Sequence, residues 1–381
     1  MRLDDAANID DLREKAKSVV PRVVFELLAS ASGDEQAFRR SVEDFKSRKL
    51  LPRLLRGVAE RDQTTSLFGR EYAAPFGIAP TGTIGILRKN IELSLARAAK
   101  AAGIPCVTSG ASVLPHEQVA AEAPGHVWSQ LYAATDPKIT EDLVRRAADF
   151  GAPALVWTVD QPVAFKNDRL MRAGYGIPPR LKLRDKLEAL RHPTWLREYL
   201  SGGMVGMGHW QRYAPAGSSD HDVHMFYSQQ RNAGQTWREL ETLRRIWDGP
   251  LVVKGILRAE DALRAAELGA DGVIVSSHGG FGIDRLPSSI EMLPGVVAAV
   301  GDRLTVMFDS GIRRGSDIVM ALCLGAKFVF VGRATLYGAT AALDAGALRA
   351  IDILKDEVDR TMGLLGCSSL SQLSPEFVLG A

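Results

Sequence analysis

The 381-residue sequence predicts a single α/β domain, a closed (β/α)8 barrel of the TIM type. Three observations predict this class. Short apolar runs alternate with helical patterns, as expected for parallel strands that are covered on both faces. The alternation repeats eight times, which is the number of units that closes such a barrel, and polar residues follow nearly every apolar run. An open doubly wound sheet is the alternative, and the regularity of the eight units favours the barrel.

The composition is that of a large globular protein with a nearly balanced charge. Hydrophobic residues make up 46% of the chain, and 47 basic residues against 45 acidic ones leave a net charge of +2. This balance predicts no nucleic-acid partner. Residues 1–5 lack the apolar core of a signal peptide, and no apolar run reaches the ~18 residues of a membrane span. Cys106 and Cys323 lie in apolar runs, as thiols in a reducing compartment often do, and a cytoplasmic location is expected.

Helices precede the barrel in an N-terminal segment, residues 1–70. Residues 8–31 predict two helical pieces, with Pro21 at the start of the second, where its missing N–H costs little. Residues 34–50 predict a third, highly charged helix. The whole chain, residues 1–381, is expected to form one domain.

The eight units follow from the apolar runs and from the helical patterns between them. The predicted strands span residues 74–80, 104–109, 127–132, 154–160, 251–254, 272–276, 304–309 and 328–331. The predicted helices span residues 90–102, 115–122, 138–150, 259–268, 287–300 and 316–324, and helix is predicted from 334 to the end of the chain.

A long insertion separates the fourth and fifth strands. Residues 161–235 are too many for a simple loop and are expected to hold structure of their own, and residues 236–247 predict the helix that follows. The stretch 192–210 is rich in apolar and aromatic residues. It has three interpretations, namely a lid over the barrel mouth, a surface that meets a membrane or a partner, and packing on the barrel's own rim. A peripheral membrane location therefore stays open.

Polar residues stand where the predicted strands end, which indicates one shared site. The carboxyl ends of the strands in such a barrel meet at one face, and active sites form there. A merely structural rim does not need so many polar groups. The residues concerned are Pro80, Thr81, Gly82, Thr108, Ser109, Gln130, Tyr132, Thr158, Asp160, Lys254, Ser276, Ser277, His278, Asp309, Ser310, Gly311, Ile312, Arg313, Gly332 and Arg333.

The segments after the seventh and eighth strands predict a phosphate site. Gly311 and Gly332 would let a phosphate approach the backbone, and Arg313 and Arg333 would supply positive charge. The sequence contains no cluster of metal-ligand type, so no metal is expected. A phosphate-bearing organic cofactor is expected instead, and FMN fits best.

Two further residues suggest the chemistry of this face. Lys254 would stabilise negative charge on a reduced flavin, and a Schiff-base lysine is the competing interpretation. His278 follows the sixth strand, where a structural His is the alternative to a catalytic base. Its ring suits proton removal near neutral pH, and Asp160 would stabilise the imidazolium that forms.

At these residues the chain resembles the FMN-dependent 2-hydroxy-acid oxidases and dehydrogenases, a family that includes glycolate oxidase, flavocytochrome b2 and mandelate dehydrogenase. The resemblance extends over about residues 15–375, and the stretch after Asp160 matches poorly. The matching motifs are Ala79–Thr81, Gln130–Tyr132, Thr158–Asp160, Val253–Gly255, Val275–Gly279, Asp309–Gly315 and Gly332–Arg333.

The resemblance implies a role for each matching residue. His278 would be the active-site base, and Asp160 would stabilise its protonated form. Tyr132 would hydrogen-bond the substrate, and Lys254 would support the flavin. The residues that would line FMN are Pro80, Thr81, Gly82, Thr108, Gln130, Thr158, Lys254, Ser276, Asp309, Ser310, Gly311, Ile312, Arg313, Gly332 and Arg333.

Three substitutions set this chain apart from the family pattern. Phe281 stands where the family has an Arg that binds the substrate's carboxylate, and Asn167 replaces a second Arg. Leu27 replaces a family Tyr. The predicted substrate pocket, formed by these three residues with Tyr132 and His278, is therefore unusually apolar, and a site of this kind should reject small 2-hydroxy acids. The cations that could compensate are Lys166, Arg169 and Arg172.

The resemblance leaves several properties open. Oxidation of an amine, as in the mycofactocin-maturation flavoproteins, and a flavin-binding protein without turnover are the alternatives to oxidation of a 2-hydroxy acid. The expected partners are a small-molecule substrate and an electron acceptor, which is O2, a quinone or a redox protein. Gly82 stands where family oxidases often carry Ala, which favours a quinone or a protein over O2. Family members are often tetramers, so a homo-oligomer is expected.

Overall fold

The chain folds around a closed barrel of eight parallel strands with helices outside it, so the predicted fold class is confirmed. The computed structural model describes residues 2–174 and 182–380. Residues 175–181 of the predicted insertion lie outside the described residues. Every predicted strand is present, and the apolar runs that predicted the strands are buried.

Three helices and three short strands precede the barrel. Helix α1 (Ile9–Val19) begins at a capping box on Asn8. Pro21 is the N-cap residue of α2 (Arg22–Ala29). Helix α3 (Gln36–Ser47) is the predicted charged helix. Strand β1 (Lys49–Leu50) and the hairpin formed by β2 (Thr65–Leu67) and β3 (Arg70–Tyr72) were not predicted.

The barrel closes because its eighth strand pairs with its first. In register, Val329 faces Phe76, and every neighbouring pair is parallel. The hairpin packs on the barrel's interior layers, where Tyr72 and Trp128 share a hydrogen bond of 3.3 Å. The barrel strands are β4 (Phe76–Ile78), β5 (Cys106–Thr108), β6 (Val127–Leu131), β7 (Leu155–Thr158), β8 (Leu251–Ile256), β9 (Gly272–Val275), β10 (Thr305–Asp309) and β11 (Phe328–Val331).

The insertion between β7 and β8 contains helices, as predicted, and most of its aromatic stretch packs on the barrel rim. Trp195 and Trp210 are buried, and their indole N–H groups donate to the backbone oxygens of Ile86 and Gly110. The helices up to this point are α4 (Ile91–Ala102), α5 (His116–Glu122), α6 (Pro137–Asp149), α7 (Asp168–Arg172), α8 (Leu183–Ala189), α9 (Pro193–Leu200), α10 (Asp220–Gln229) and α11 (Trp237–Ile246).

The last part of the chain differs from the prediction of helices from residue 334 to the end. Helix α12 (Ala259–Glu267), α13 (Ser289–Val300) and α14 (Gly315–Cys323) follow their strands as predicted, and α15 spans Arg333–Leu365. Helix α15 ends because Gly366 takes a left-handed conformation, which caps the helix. The chain then forms β12 (Val378–Leu379), which pairs antiparallel with β1.

Candidate active site

A cavity of about 390 Å³ opens at the carboxyl ends of the barrel strands, where the sequence predicts one converging site. Most of the predicted site residues line it. Asp160 and Ser276 lie behind the wall, each hydrogen-bonded to a residue that lines it, and Thr108, Gln130 and Thr158 do not line it either. The predicted residues that line the cavity are Leu27, Pro80, Thr81, Gly82, Tyr132, Lys254, His278, Phe281, Asp309, Ser310, Gly311, Ile312, Arg313, Gly332 and Arg333.

His278 and Asp160 form a hydrogen-bonded pair at this cavity. Nδ1 of His278 lies 2.8 Å from Oδ1 of Asp160. Burial opposes ionisation of Asp160, but the His278 imidazole and the Lys254 ammonium outweigh it and lower the pKa of this carboxyl. Because Asp160 engages Nδ1, Nε2 of His278 is the nitrogen free to exchange a proton with a bound molecule. The pair has the arrangement of a general base with a carboxylate that orients it.

The backbone holds His278 in an uncommon conformation. Its φ is +53°, in the left-handed region that residues with a Cβ rarely adopt. Its N–H donates to Oγ of Ser276 at 3.0 Å, and the N–H of Gly279 donates to Oγ of Ser310 at 3.0 Å. Strain of this kind persists where the surroundings enforce it, often at functional sites.

Lys254 is buried beside an acidic partner. Its Nζ lies 3.1 Å from Oδ2 of Asp309 and 3.0 Å from Oγ of Ser276. Burial disfavours the ammonium form, but Asp309 and Asp160 outweigh burial and raise the pKa of Lys254. A Schiff-base lysine needs a neutral amine, so this environment disfavours the aldolase-type interpretation. A fixed positive charge suits the proposed contact with a flavin.

Tyr132 presents a protonated hydroxyl at the same cavity. Burial raises its pKa well above the usual value, Tyr227 and Asp160 raise it further, and Arg231 opposes them. The phenol therefore stays a hydrogen-bond donor over the physiological pH range.

Buried polar atoms without partners indicate where a polar cofactor would bind. Thr108 Oγ1, Gln130 Nε2 and Thr158 Oγ1 have no hydrogen-bond partner within residues 2–174 and 182–380. These residues belong to the adjacent strands β5, β6 and β7, and the sequence predicts all three as FMN contacts. Because buried polar groups are nearly always hydrogen-bonded in a complete site, these atoms fit the polar edge of a flavin.

The two segments predicted to bind phosphate differ in how much space their glycines leave for it. Ser310 and Gly311 have φ values of +83° and +87°, and a Cβ at Gly311 would clash with the carbonyl oxygen of Ser41. Gly311 is thus required for the approach of α3. At Gly332, a Cβ would meet no atom closer than 3.7 Å, so space is open there.

Arg333 has a more specific environment than the sequence indicates. Its guanidinium donates to the carbonyl oxygens of Leu28, Ser30 and Gly279, at 2.7–2.9 Å. It also lies 4.5 Å from the ring centroid of Phe38 and 4.9 Å from that of Phe281. Burial lowers its pKa to about 10, which leaves it charged at neutral pH. Its role as a phosphate ligand stays a prediction.

Two of the three substituted positions line the cavity. Leu27 does, and so does Phe281, whose ring lies 5.0 Å from that of Phe165. Asn167 does not, because its side chain accepts from the N–H of Leu170 and donates to Oγ of Ser30. Its assignment to the substrate pocket was wrong.

Comparison with known proteins identifies the family. The family model for FMN-dependent dehydrogenases matches residues 16–379. The chain belongs to this family. It is therefore an FMN-dependent oxidoreductase of the type that acts on the CH–OH group of 2-hydroxy acids, and the predicted cofactor is confirmed.

The relatives of this FMN-dependent dehydrogenase extend over nearly the whole chain. An L-lactate dehydrogenase of Allorhizobium ampelinum is 36% identical over 367 residues, covering 96% of this chain and 97% of that protein. The (S)-mandelate dehydrogenase of Pseudomonas putida is also 36% identical, over 372 residues, covering 97% and 93%. A crystal structure of the monotopic membrane protein (S)-mandelate dehydrogenase superposes with a TM-score of 0.95 at 35% identity, covering 99% of this chain and 100% of that chain. These relatives favour 2-hydroxy-acid oxidation over the two alternative functions.

Several cavity residues of this dehydrogenase escaped the sequence prediction. Among them, His224, Tyr227 and Arg231 lie on or just after α10. No local motif marks them, because the insertion brings them there only through its packing on the barrel. The part of the chain that the structure describes contains no helix long and apolar enough to cross a membrane.

Proposed function

We propose that the protein oxidises a bulky, apolar 2-hydroxy acid to the 2-oxo acid, with His278 as the base. The observation that carries this proposal is the His278–Asp160 pair, 2.8 Å apart, beside a cavity with apolar walls. Leu27, Leu170 and Phe281 contribute to those walls. An aromatic or branched side chain of the substrate would bury apolar area there, which a small acid cannot do.

Each residue of the site has one proposed task. Nε2 of His278 accepts the proton that the hydroxy acid releases, and Asp160 stabilises the imidazolium that results. Tyr132 donates a hydrogen bond to the substrate oxygen. When bound, FMN supplies the two-electron acceptor for the reaction.

The FMN contacts are proposed in the same way. Lys254 places a positive charge beside the flavin, and Thr108 Oγ1, Gln130 Nε2 and Thr158 Oγ1 form hydrogen bonds with its polar edge. Arg313 and the open backbone of Gly332 both line the cavity, and we propose that they face the phosphate.

A substrate panel tests the proposed function. Purified holoenzyme is assayed with an artificial dye acceptor against 2-hydroxy acids with side chains from methyl to phenyl, and against the matching 2-amino compounds. We expect kcat/KM to rise with the apolar area of the hydroxy acid, by about tenfold for each 1.4 kcal/mol of added binding. Faster dye reduction by the amino compounds than by every hydroxy acid would refute the proposal.

We also propose that the protein binds peripherally to membranes. Leu183, Leu187 and Leu190 are 73%, 56% and 64% exposed and lie on one face of the α8 segment, at a spacing of four and three residues. Leu200 on α9 is 75% exposed, and exposed basic residues such as Arg184 flank them. Apolar side chains beside basic ones are typical of helices that lie on an anionic lipid surface. The structural likeness to a monotopic membrane protein supports the same location.

Vesicle sedimentation tests this location. We expect the protein to sediment with vesicles that contain anionic lipid, and the triple variant L183S/L187S/L190S to stay in the supernatant. Leu364, which is 78% exposed on α15, provides the matched control, and L364S should sediment like the wild type. Equal sedimentation of the triple variant and the wild type would argue for a cytoplasmic protein.

Three smaller proposals complete the function. We propose that the chain works as one domain, that it assembles as a homo-oligomer such as a tetramer, and that a quinone or redox protein is its electron acceptor. Gly82 and the exposed leucines support this acceptor, since a membrane-bound enzyme can reach quinones. A Cβ at Gly82 would also lie 2.8 Å from Cβ of Ala111, so packing constrains that position too. Light scattering tests the assembly, and peroxide yield compared with quinone reduction tests the acceptor.

A further inference from the structure

The cations that the sequence offered as replacements for the missing arginines are occupied elsewhere. Arg169 forms ion pairs with Glu26 and Glu35. Lys166 and Arg172 lie 3.2 and 3.3 Å from the carboxylate of Asp168 and are largely exposed. In the part of the chain that the structure describes, the cavity is lined by none of these three residues. A carboxylate in the cavity therefore needs another partner.

Among the described residues, four lysines and arginines do line the cavity, and three of them have other contacts. Lys254 pairs with Asp309, and the guanidinium of Arg333 donates to three backbone carbonyls. Arg313 lies in the proposed phosphate segment and donates to the carbonyl of Ile312 at 2.7 Å. The fourth cation is Arg231, which stands in the insertion, on the side of Tyr132.

Among the residues that the structure describes, Arg231 uses little of its hydrogen-bonding capacity. Its NH1 donates to the carbonyl oxygen of Val163 at 3.3 Å, and its guanidinium lies 5.8 Å from the ring centroid of Tyr227. Within residues 2–174 and 182–380, no Asp or Glu forms an ion pair with it. Burial, together with the neighbouring His221 and Arg231, lowers the pKa of His224, so Arg231 carries the charge of this wall.

The backbone fixes Arg231 to the segment that follows β6 and carries Tyr132. Arg231 and Ala134 form an antiparallel bridge, two residues beyond Tyr132. The N–H of Thr135 donates to the carbonyl of Gln230 at 3.0 Å, which extends this contact. The guanidinium is thus held near the end of β6 although it belongs to the insertion.

The charges of the cavity make Arg231 the natural partner of an anion. The two carboxylates at the site have partners of their own, since Asp160 is hydrogen-bonded to His278 and Asp309 forms an ion pair with Lys254. An uncompensated guanidinium in a largely apolar cavity attracts an anion and binds a carboxylate through two parallel N–H donors.

We propose that Arg231 binds the carboxylate of the substrate and so replaces the arginines that this chain lacks at Phe281 and Asn167. This inference rests on the proposed function, since it gives the substrate a carboxylate. It makes Arg231 a specificity-determining residue, which selects acids over neutral analogues of the same shape.

Ligand binding without turnover tests the proposal. Benzoate and its neutral analogue benzamide are titrated into the oxidised holoenzyme, and binding is followed through the visible absorbance of the flavin. We expect R231L to weaken benzoate binding about 100-fold, as for loss of one partner of a buried charge pair, and to leave benzamide binding unchanged. R231K should lie between R231L and the wild type, because Lys keeps the charge and loses the planar fork.

The matched control and the opposing outcomes separate this inference from the proposed function. R172L removes an exposed arginine of the same insertion and should change neither affinity. Unchanged benzoate affinity in R231L, equal loss of both ligands, or no benzoate binding by the wild type would overturn the assignment. If R231L does not retain FMN, the test uses R231K in its place. A benzoate affinity of R231K equal to that of the wild type would then overturn the assignment. Arg231-dependent benzoate binding in an enzyme that oxidises no 2-hydroxy acid would refute the proposed function alone.

Discussion

Nζ of Lys254 lies 3.1 Å from Oδ2 of Asp309, and the two side chains are only 4% and 7% exposed. The pair joins the ends of β8 and β10 across the floor of the cavity. A buried ion pair costs much desolvation free energy, so its presence at this position indicates a function beyond stability. The second contact of Lys254, with Ser276, links the pair to the backbone that holds His278.

Removing one partner of this pair should destabilise the protein more than removing both. We expect K254M to lower the free energy of unfolding by roughly 3–5 kcal/mol, because Asp309 would be left buried without a counter-charge. The double variant K254M/D309N should recover a large part of that loss. Urea unfolding of the apoproteins measures both values, and a double variant less stable than K254M would contradict the pairing.

Loss of the base should abolish turnover and spare the cofactor. We expect H278N to reduce the rate of flavin reduction by the substrate about 10²–10⁴-fold, the usual contribution of a general base. FMN content should match that of the wild type. H221N changes an exposed His on α10 and should leave the rate unchanged. Stopped-flow absorbance gives the rates, and full activity of H278N would exclude it as the base.

Asp160 should act only through His278. We expect D160N to slow flavin reduction by about 100-fold or more, because the imidazolium loses its carboxylate partner. The double variant D160N/H278N should be no slower than H278N alone, since residues that act as a unit are not additive. If the rate losses of the two single variants multiplied in the double variant, Asp160 would have a role independent of His278.

The stability of the protein should depend on pH through Glu92. Burial raises the pKa of this carboxyl from its usual 4.5 to about 7. The N–H groups of Val113 and Leu114, which donate to it at 2.9 Å, lower the pKa but do not outweigh burial. The folded state therefore holds the proton more tightly, and the stability gained is complete below pH 4.5 and lost as the pH rises through 7.

The variant E92Q should remove this dependence. Between pH 5 and 8, we expect the free energy of unfolding of the wild type to fall by about 2–3 kcal/mol more than that of E92Q. Urea unfolding at the two pH values measures the difference. Equal slopes for the two proteins would show that Glu92 keeps an ordinary pKa.

The sequence predicted the barrel well because its signal is local. Each strand is a short apolar run, and the polar residue after it stands at the face where the strands converge, so Tyr132, Lys254 and His278 could be placed in one site. The hairpin of β2 and β3 was missed because each strand has three residues and little apolar alternation. Strand β12 was missed because its partner, β1, lies more than 300 residues away in sequence.

Side-chain partners were the part that the sequence could not supply. Gly311 was predicted to admit a phosphate, and the structure adds that its missing Cβ makes room for the Ser41 carbonyl of α3. Asn167 was predicted to face the substrate, and it caps α7. Arg231 had no signal at all, because its place in the cavity depends on the bridge to Ala134. Such contacts depend on tertiary structure rather than on local pattern.

Anaerobic mixing of the yellow holoenzyme with (S)-mandelate, a 2-hydroxy acid with a large apolar side chain, tests the central claim most directly. The proposed function predicts that the visible absorbance of the flavin disappears and that one equivalent of 2-oxo acid forms per FMN. The claim would be contradicted if (S)-mandelate and the other 2-hydroxy acids of the panel left the absorbance unchanged while dithionite removed it.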